Sequence, residues 1–580
     1  MRPYQKLKNS DYDIIAYQVH ISEIEQLIDN EPDSDVGFAV LGNWLIKGRK
    51  HYVDKIKSNF DYRKIVDDCT DEQNRATPLG DWYAEFTYPH RVRSQCEVKV
   101  LNTILESALT LTLPKRILVC WKNKSAYEIS RKVGVSHKRS AYQKREKLIK
   151  AQCKKALYHI VRASVGLVRI LKFKRSSRAS MNNIGVLVGS SDIYRIVDGR
   201  YENPVTGEVR RELEKLNCNV IYMSSPHDSG DSYAKLKAYV RDEGAITPEA
   251  VIVYYAFRHP LTLLLSLIDR VNPLQNDSKA FYRLIVQAFK EFLEATSVDA
   301  VLLSGEYSRI PRSAITAAND MSIPTAGMQH GAIAPRHPGY SLRHYSARVT
   351  TPKSLLLHGD AYRTLLEELH DEYCPKCWVV GNPATKINNI IGDIKDQTLD
   401  SDRCFNVLFA SQPQLRPLLR EAFDNIPRAR QNNAIKATFK LHPAYEASGD
   451  FFKSERFQVF FKAIDVLPVI SDVDLALSDA DVVVSRTSTI LQESLSQGIF
   501  TIEVLDEASD YSLTETFAKN GCLENCLVVR AGDLPQVLID LQRSGLNGTC
   551  NDESSTPSRL CSINMPYTTV SEWVNYLFDS

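Results

Sequence analysis

Between residues 184 and 543, short apolar runs of strand length alternate with segments of helical spacing, and this alternation most restricts the folds open to the chain. Strand-type runs at 184–188, 219–223, 251–255, 298–304 and 325–328 are interleaved with helical segments at 210–216, 279–295 and 312–319. A second series begins after about residue 348. Its strand runs are 354–358, 378–380, 406–410, 434–441, 481–484 and 501–504, with helical segments at 361–369, 415–425, 489–496 and 534–543. Apolar runs of this length, each answered by a helix, predict parallel strands joined by crossover helices. Two doubly wound sheets in succession are therefore expected. A chain of 580 residues has room for them and for a further domain, and no repeat with a period of twenty to fifty residues is visible.

The rest of the chain divides by composition. Residues 1–137 carry strand runs at 13–19, 38–41 and 116–121 and helical spacing at 98–111 and 125–133, an α/β extension. Residues 138–180 follow as a basic amphipathic helix and linker, then 181–348 and 349–580 as the two sheet domains. Formal net charge is only +2, but residues 138–178 hold fourteen Lys/Arg and one acidic residue. Over 148–173, Ile149, Cys153, Ala156, Leu157, Ile160, Val161, Val168 and Leu171 recur at three- and four-residue steps. That is a cationic amphipathic helix. It is either a surface helix drawn to anionic lipid or an inter-domain helix with its stripe packed on the protein. Stacking aromatics are sparse there, so no nucleic acid is expected. Twelve scattered cysteines, no signal-type N-terminus and no long apolar span suggest a cytoplasmic chain, peripheral at the inner membrane face if the basic helix binds lipid.

Two strand ends carry the chemistry. The run 434–441 closes on Lys440-Leu441-His442-Pro443, and the run 481–484 opens into Ser485-Arg486-Thr487-Ser488-Thr489 and a helix. Ligands of open α/β sheets bind outside the carboxyl ends of strands. A hydroxyl-rich turn at a helix start favours an anion such as phosphate. His442 can donate to a phosphate oxygen, and Lys440 projects to the same side of its strand. Ser485, Thr487, Ser488 and Thr489 offer hydroxyls, although Thr489-x-x-Gln492 also fits a capping box. Glu493 lies one turn into the helix, where it can accept from ribose hydroxyls. Glu306, after the 300–304 strand and the turning Gly305, suits a general base, and His330 after the next strand is its rival. The plainer alternatives are that Glu306 pairs with Arg309 or Arg312 and that His330 packs between domains.

Five segments occur in a familiar order: residues 322–331 ending in Gln-His-Gly, 352–359, Val379-Val-Gly-Asn-Pro383, Lys440-Leu-His-Pro443 and 485–493. The set resembles the two-domain GT-B superfamily over roughly residues 184–530, in particular glycosyltransferases of capsule and surface-polysaccharide synthesis. The His-Pro and Ser/Thr segments are similar to those of bacterial sialyltransferases and CDP-glycerol glycerophosphotransferases. The resemblance implies a GT-B-like fold, two Rossmann-type domains facing a cleft, and a CMP- or CDP-linked donor. In that picture Lys440, His442, Pro443, Ser485, Thr487, Ser488, Thr489, Glu493, Gly381, Asn382, Ser411 and Gln412 line the donor pocket. Glu306 or His330 then activates a glycan or lipid-linked acceptor. Arg486 departs from the pattern and either reads an extra phosphate or blocks the pocket. No metal and no cofactor beyond the nucleotide-sugar co-substrate is expected; the Asp-x-Asp matches at Asp33 and Asp472 are placed poorly for one. A UDP-sugar 2-epimerase and a non-catalytic nucleotide-sugar- or glycan-binding scaffold of the same fold remain alternatives.

Overall fold

The computed structural model describes residues 12–18, 36–41, 44–77, 82–111, 116–121, 124–133, 135–139, 163–171, 185–191, 195–197, 200–202, 206–225, 246–260, 279–334, 336–342, 350–369, 375–382, 404–412, 414–424, 426, 432–441, 450–467, 473–486, 488–505, 525–544 and 572. Among them are three sheets of five or six strands and a short ribbon.

The N-terminal sheet is mixed. Strands β1 (Ile14–Gln18), β2 (Val36–Leu41), β3 (Trp44–Arg49), β4 (Ile117–Trp121) and β5 (Ser136–Arg139) stand in the order β2-β3-β1-β4-β5. β1 pairs antiparallel with β3 and parallel with β4. Helices α1 (Lys50–Ser58), α2 (Tyr62–Ala76), α3 (Trp82–Leu109) and α4 (Lys124–Val133) accompany it, and a core including Trp44, Ile46, Val53, Cys69, Tyr88, Leu101 and Ile104 seals them to it. Asp61 caps α2, its carboxylate accepting from Lys64 N at 2.9 Å.

The second sheet is wholly parallel. It holds β6 (Gly185–Ser191), β9 (Asn219–Ser225), β10 (Ala300–Ser304), β11 (Thr325–Met328), β12 (Ser354–Leu357) and β13 (Lys376–Val379), in the order β13-β12-β11-β10-β6-β9. A ribbon of β7 (Arg195–Val197) and β8 (Arg200–Glu202) follows β6. Helices of this region are α5 (Gly207–Lys215), α6 (Pro248–Arg258), α7 (Lys279–Thr296), α8 (Arg309–Asp320) and α9 (Asp360–Leu369). Two expectations are corrected. Residues 251–255 are the middle of α6, not a strand: Thr247 caps the helix by accepting from Ala250 N, and Pro248 occupies its first turn. β12 pairs with β11 and β13 with β12 in this sheet, so the boundary expected at 348 falls inside its run of strands.

The third sheet is also parallel, with β14 (Phe405–Ala410), β15 (Asn432–Lys440), β16 (Phe461–Leu467), β17 (Val482–Ser485), β18 (Phe500–Leu505) and β19 (Cys526–Arg530). The order β16-β15-β14-β17-β18-β19 reads 3-2-1-4-5-6, the doubly wound pattern whose ligand crevice opens between its first and fourth strands. Helices α10 (Leu415–Phe423), α11 (Glu455–Gln458), α12 (Val473–Ser478), α13 (Thr489–Ser496) and α14 (Leu534–Ser544) complete it. Its core stacks Phe409 on Phe439 at 4.7 Å and Phe439 on Phe452 at 4.4 Å. The fully buried Arg416 places its guanidinium 4.9 Å from the Phe452 ring centroid, a desolvated cation–π contact.

The N-terminal domain touches both parallel-sheet domains. Lys57 pairs with Glu421 at 3.0 Å and Arg420 lies over the Phe38 ring, while Arg336 pairs with Asp67 at 2.7 Å. Of the expected basic helix, residues 163–171 are described and helical. Ala163 and Ile170 are buried there, and Gly166 lies against Ala250. Val168 and Leu171, expected on the packed stripe, are 66% and 48% exposed. The close approach at Gly166 selects the face one position away. The closing helix expected at 567–578 lies outside the described residues apart from residue 572. Among the described residues no helix is long and apolar enough to cross a membrane.

Candidate active site

The carboxyl ends of the two parallel sheets meet at a seam. A Cβ added to Gly331, just past β11, would lie 3.7 Å from Thr489 Cγ2 at the start of α13. Asn382, just past β13, donates from Nδ2 to Glu493 Oε1 at 3.5 Å. Leu495, on the same helix, packs among Ile333, Tyr340, Leu355 and Leu357 of the second sheet's domain. Gly381 and Asn382 therefore belong to the second sheet, not the third as expected from sequence order, and Asn382 reaches across to the third.

Gln329 fixes the turn that presents His330. Its Nε2 donates to Gly331 O at 2.9 Å, and its Oε1 accepts from His358 N at 2.8 Å. The backbone O of Gln329 stands 3.0 Å from His358 Nε2. Burial pushes His358 down to about 3, so it is neutral; with Nε2 carrying the proton it donates to that carbonyl. His330 is half-buried and shares a 3.0 Å hydrogen bond with Tyr307 Oη through Nε2. Desolvation lowers its pKa, so at neutral pH it can accept a proton. His337, pushed by burial to about 3, packs edge-on against the Tyr307 ring at 4.7 Å and accepts from Gly339 N at 3.1 Å.

Glu306 is not brought to the seam. Gly305, with φ of 66°, turns the chain after β10, and the Glu306 side chain folds back over β11. A Cβ on Gly327 would stand 2.9 Å from its Cγ, so only glycine leaves room there. Tyr340 Oη donates to Glu306 Oε1, while Oε2 has no hydrogen-bond partner among the described residues. A cavity of about 20 Å³, room for about one water, lies beside it against Tyr307, Arg312 and Thr350. Burial pushes the carboxyl up to about 7 against the opposing pull of Tyr340 and Arg312. The expected alternatives, pairing with Arg309 or Arg312, are replaced by Tyr340. Arg312 Nε donates instead to Thr350 O at 3.2 Å and Arg309 Nε to His90 Nε2 at 3.0 Å.

At the third sheet, Ser411 follows β14, its N donating to Lys440 O at 3.0 Å, and Gln412 O accepts from Leu415 N at the start of α10. Lys440 is buried and its Nζ donates to Leu441 O at 3.2 Å. Ser485 is buried, its hydroxyl donating to Ala410 O at 2.9 Å across β14 and β17. The helix cap is Ser488, accepting from Ile490 N at 3.4 Å, so the box expected from Thr489 to Gln492 does not form and Thr489 is left in the first turn facing Gly331. Arg486 is buried and donates to Gln414 O at 3.4 Å. His442, Pro443 and Thr487 lie outside the described residues. Among those described, no three His, Cys, Asp or Glu side chains are grouped to hold a metal ion.

Gln329 and His358 lie in the 322–331 and 352–359 segments, but the sequence assigns neither a role. Tyr307 adjoins Glu306, and this adjacency is a usable signal. Tyr340 becomes a site residue only through the fold.

No protein-family model matches the chain, and no curated protein does. Among solved structures, it is similar to the UDP-GlcNAc 2-epimerase of Neisseria meningitidis bound to UDP-GlcNAc, with 13% identity, a TM-score of 0.43, and coverage of 68% of this chain and 99% of that one. It is similar also to MurG of Acinetobacter baumannii at 14% identity and a TM-score of 0.40, covering 68% and 100%. The glycosyltransferase SnogD of Streptomyces nogalater gives 13% identity and a TM-score of 0.39, covering 68% and 100%. The assignment of two doubly wound domains rests on the strand order and pairing of this chain itself.

Proposed function

We propose that the protein is a metal-independent, nucleotide-sugar-dependent glycosyltransferase of surface or capsular polysaccharide synthesis. The observation that carries this reading is the meeting of Gly331 with Thr489 and of Asn382 with Glu493, which sets a proton-accepting histidine beside a hydroxyl-bearing helix start. The donor lies against the third sheet. Thr489 and the first turn of α13 face its phosphate and Glu493 its ribose, and His442 and Pro443, which come after β15 in the sequence, are assigned to the phosphate by their motif alone. His330 removes the acceptor proton as the sugar is displaced from the nucleotide. A CMP- or CDP-linked donor, a glycan or lipid-linked acceptor and contact of residues 138–178 with anionic membrane complete the proposal.

A second reading is a UDP-sugar 2-epimerase. It would use the same nucleotide site with no acceptor, and Glu306, buried against Gly327 and Tyr340, would act there only behind the seam. Calorimetric titration with CMP, CDP, UDP and GDP, on wild type and Glu493→Gln, tests the site. Cytidine-nucleotide binding weakened by the variant supports the first reading. UDP preference with turnover of a UDP-sugar in the absence of acceptor moves the assignment to the second. Binding of none of them removes both.

A further inference from the structure

We propose that the N-terminal domain, through Tyr88 and Asn74, is a positioning device for the His330 site: it grips Ser341 and so sets the segment that packs Tyr307 against the histidine. This rests on His330 acting on the substrate.

The chain of contacts is continuous. Asn74 Nδ2, on α2, donates to Ser341 O at 3.1 Å, and Tyr88 Oη, on α3, donates to the same carbonyl at 3.2 Å. Tyr88 Oη also lies 3.3 Å from Ser341 Oγ. All three residues are buried. Burial pushes the Tyr88 phenol up to about 12, which keeps it a donor at any working pH. Leu342 inserts into the N-terminal core and Arg336 pairs with Asp67, so the segment is pinned at both ends. Between those pins stand His337, Gly339 and Tyr340, each against Tyr307 or Glu306. Tyr307 in turn holds His330 Nε2 at 3.0 Å. A domain outside the two parallel sheets thus reaches the seam through the Ser341 carbonyl, with Leu342 and Arg336 holding the segment on either side.

The Glu306 carboxyl is a built-in reporter, because Tyr340 is its hydrogen-bond donor. The other titratable or charged groups around it are Tyr307 on its own segment, Arg312 on α8 and His337 on the pinned segment; β11 and β12 present Gly327 and Leu355. The full-length protein is titrated by infrared difference spectroscopy of the carboxyl C=O band, with Glu306→Gln identifying the signal. Tyr340→Phe sets the limit, an upward shift of the midpoint, since a donor to the ionised form is lost. The double variant Tyr88→Phe/Asn74→Ala is expected to shift the midpoint the same way by about half a pH unit. It should also lower kcat roughly tenfold with KM retained. Asp61→Ala, which weakens the cap of α2 without touching Ser341, is the control for general loosening and should leave the midpoint in place. A wild-type midpoint in the double variant, or an equal shift in Asp61→Ala, overturns the proposal. Full turnover in His330→Gln would instead remove the reading on which it rests, and the infrared midpoint still decides the positioning.

Discussion

The phenol of Tyr307 and Nε2 of His330 stand 3.0 Å apart, and this bond joins the turn after β10 to the turn after β11. It fixes the imidazole at the seam while desolvation keeps it neutral. Replacing His330 with Gln should lower turnover by about 10²–10⁴-fold, the usual contribution of a positioned base. Tyr307→Phe should cost less, because the imidazole remains and only its orientation loosens. Steady-state kinetics with a nucleotide-sugar donor measure both, and similar losses in the two variants would contradict the assignment of roles.

Gly339 leaves no room for a side chain. A Cβ there would sit 2.6, 2.7 and 2.8 Å from Tyr307 Cγ, Cδ1 and Cβ, and the Tyr307 ring cannot swing away while His330, His337 and Tyr340 surround it. Gly339→Ala is therefore expected to destabilise the protein by about 1–3 kcal/mol, the range for overpacking a well-filled site. Urea denaturation gives the value, and turnover should fall with it.

Glu306 makes stability depend on pH in an unusual direction. Its pKa is raised from the ordinary 4.5 to about 7 in the folded chain. The folded protein then holds a proton that the unfolded chain has released. The stabilisation is fully present below pH 4.5 and is lost as pH rises through 7, by about 3 kcal/mol as an order of magnitude. His337 and His358 act with the opposite sign, since their pKa values are lowered to about 3. Their contribution is present above pH 6.5 and fades as pH falls below it. The difference in unfolding free energy between wild type and Glu306→Gln isolates the carboxyl. It should change by that amount between pH 4.5 and 8, and a flat difference would show that Glu306 titrates normally.

How much of the fold and site is legible in the sequence depends on whether a local signal exists. β11 and α13 are legible because apolar runs bounded by turn residues leave few other choices. α6 reads as a strand because its Val-Ile-Val-Tyr-Tyr stretch has strand composition, although Thr247-Pro248 ahead of it is a helix start. β16 is hidden for the opposite reason: lysine and aspartate break its apolar run, as befits an edge strand in which only Phe461 is buried. The placement of β12 and β13 was invisible, since nothing in a strand's sequence states which sheet it joins. In the site, His330 and Glu306 were legible as strand-end residues. Tyr340, thirty-four positions from Glu306, was not. Its role depends on a segment held down by a different domain.

The division of labour between Ser488 and Thr489 is the sharpest test of the donor side. Ser488 accepts from Ile490 N and is the residue that caps α13, with extended φ and ψ. Ser488→Ala should cost about 1 kcal/mol of stability, as loss of a cap does. Thr489 lies one residue on, in the first turn, and faces Gly331 across the seam. Thr489→Ala removes a hydroxyl that the helix does not use, so stability should stay near that of wild type. If a phosphate is held at this helix start, nucleotide affinity in Thr489→Ala should fall roughly tenfold, the value of one hydrogen bond to a charged group. Calorimetry and thermal denaturation on the same two variants give all four numbers. Loss of stability in Thr489→Ala with unchanged nucleotide affinity would return this residue to a structural role and move the phosphate away from α13.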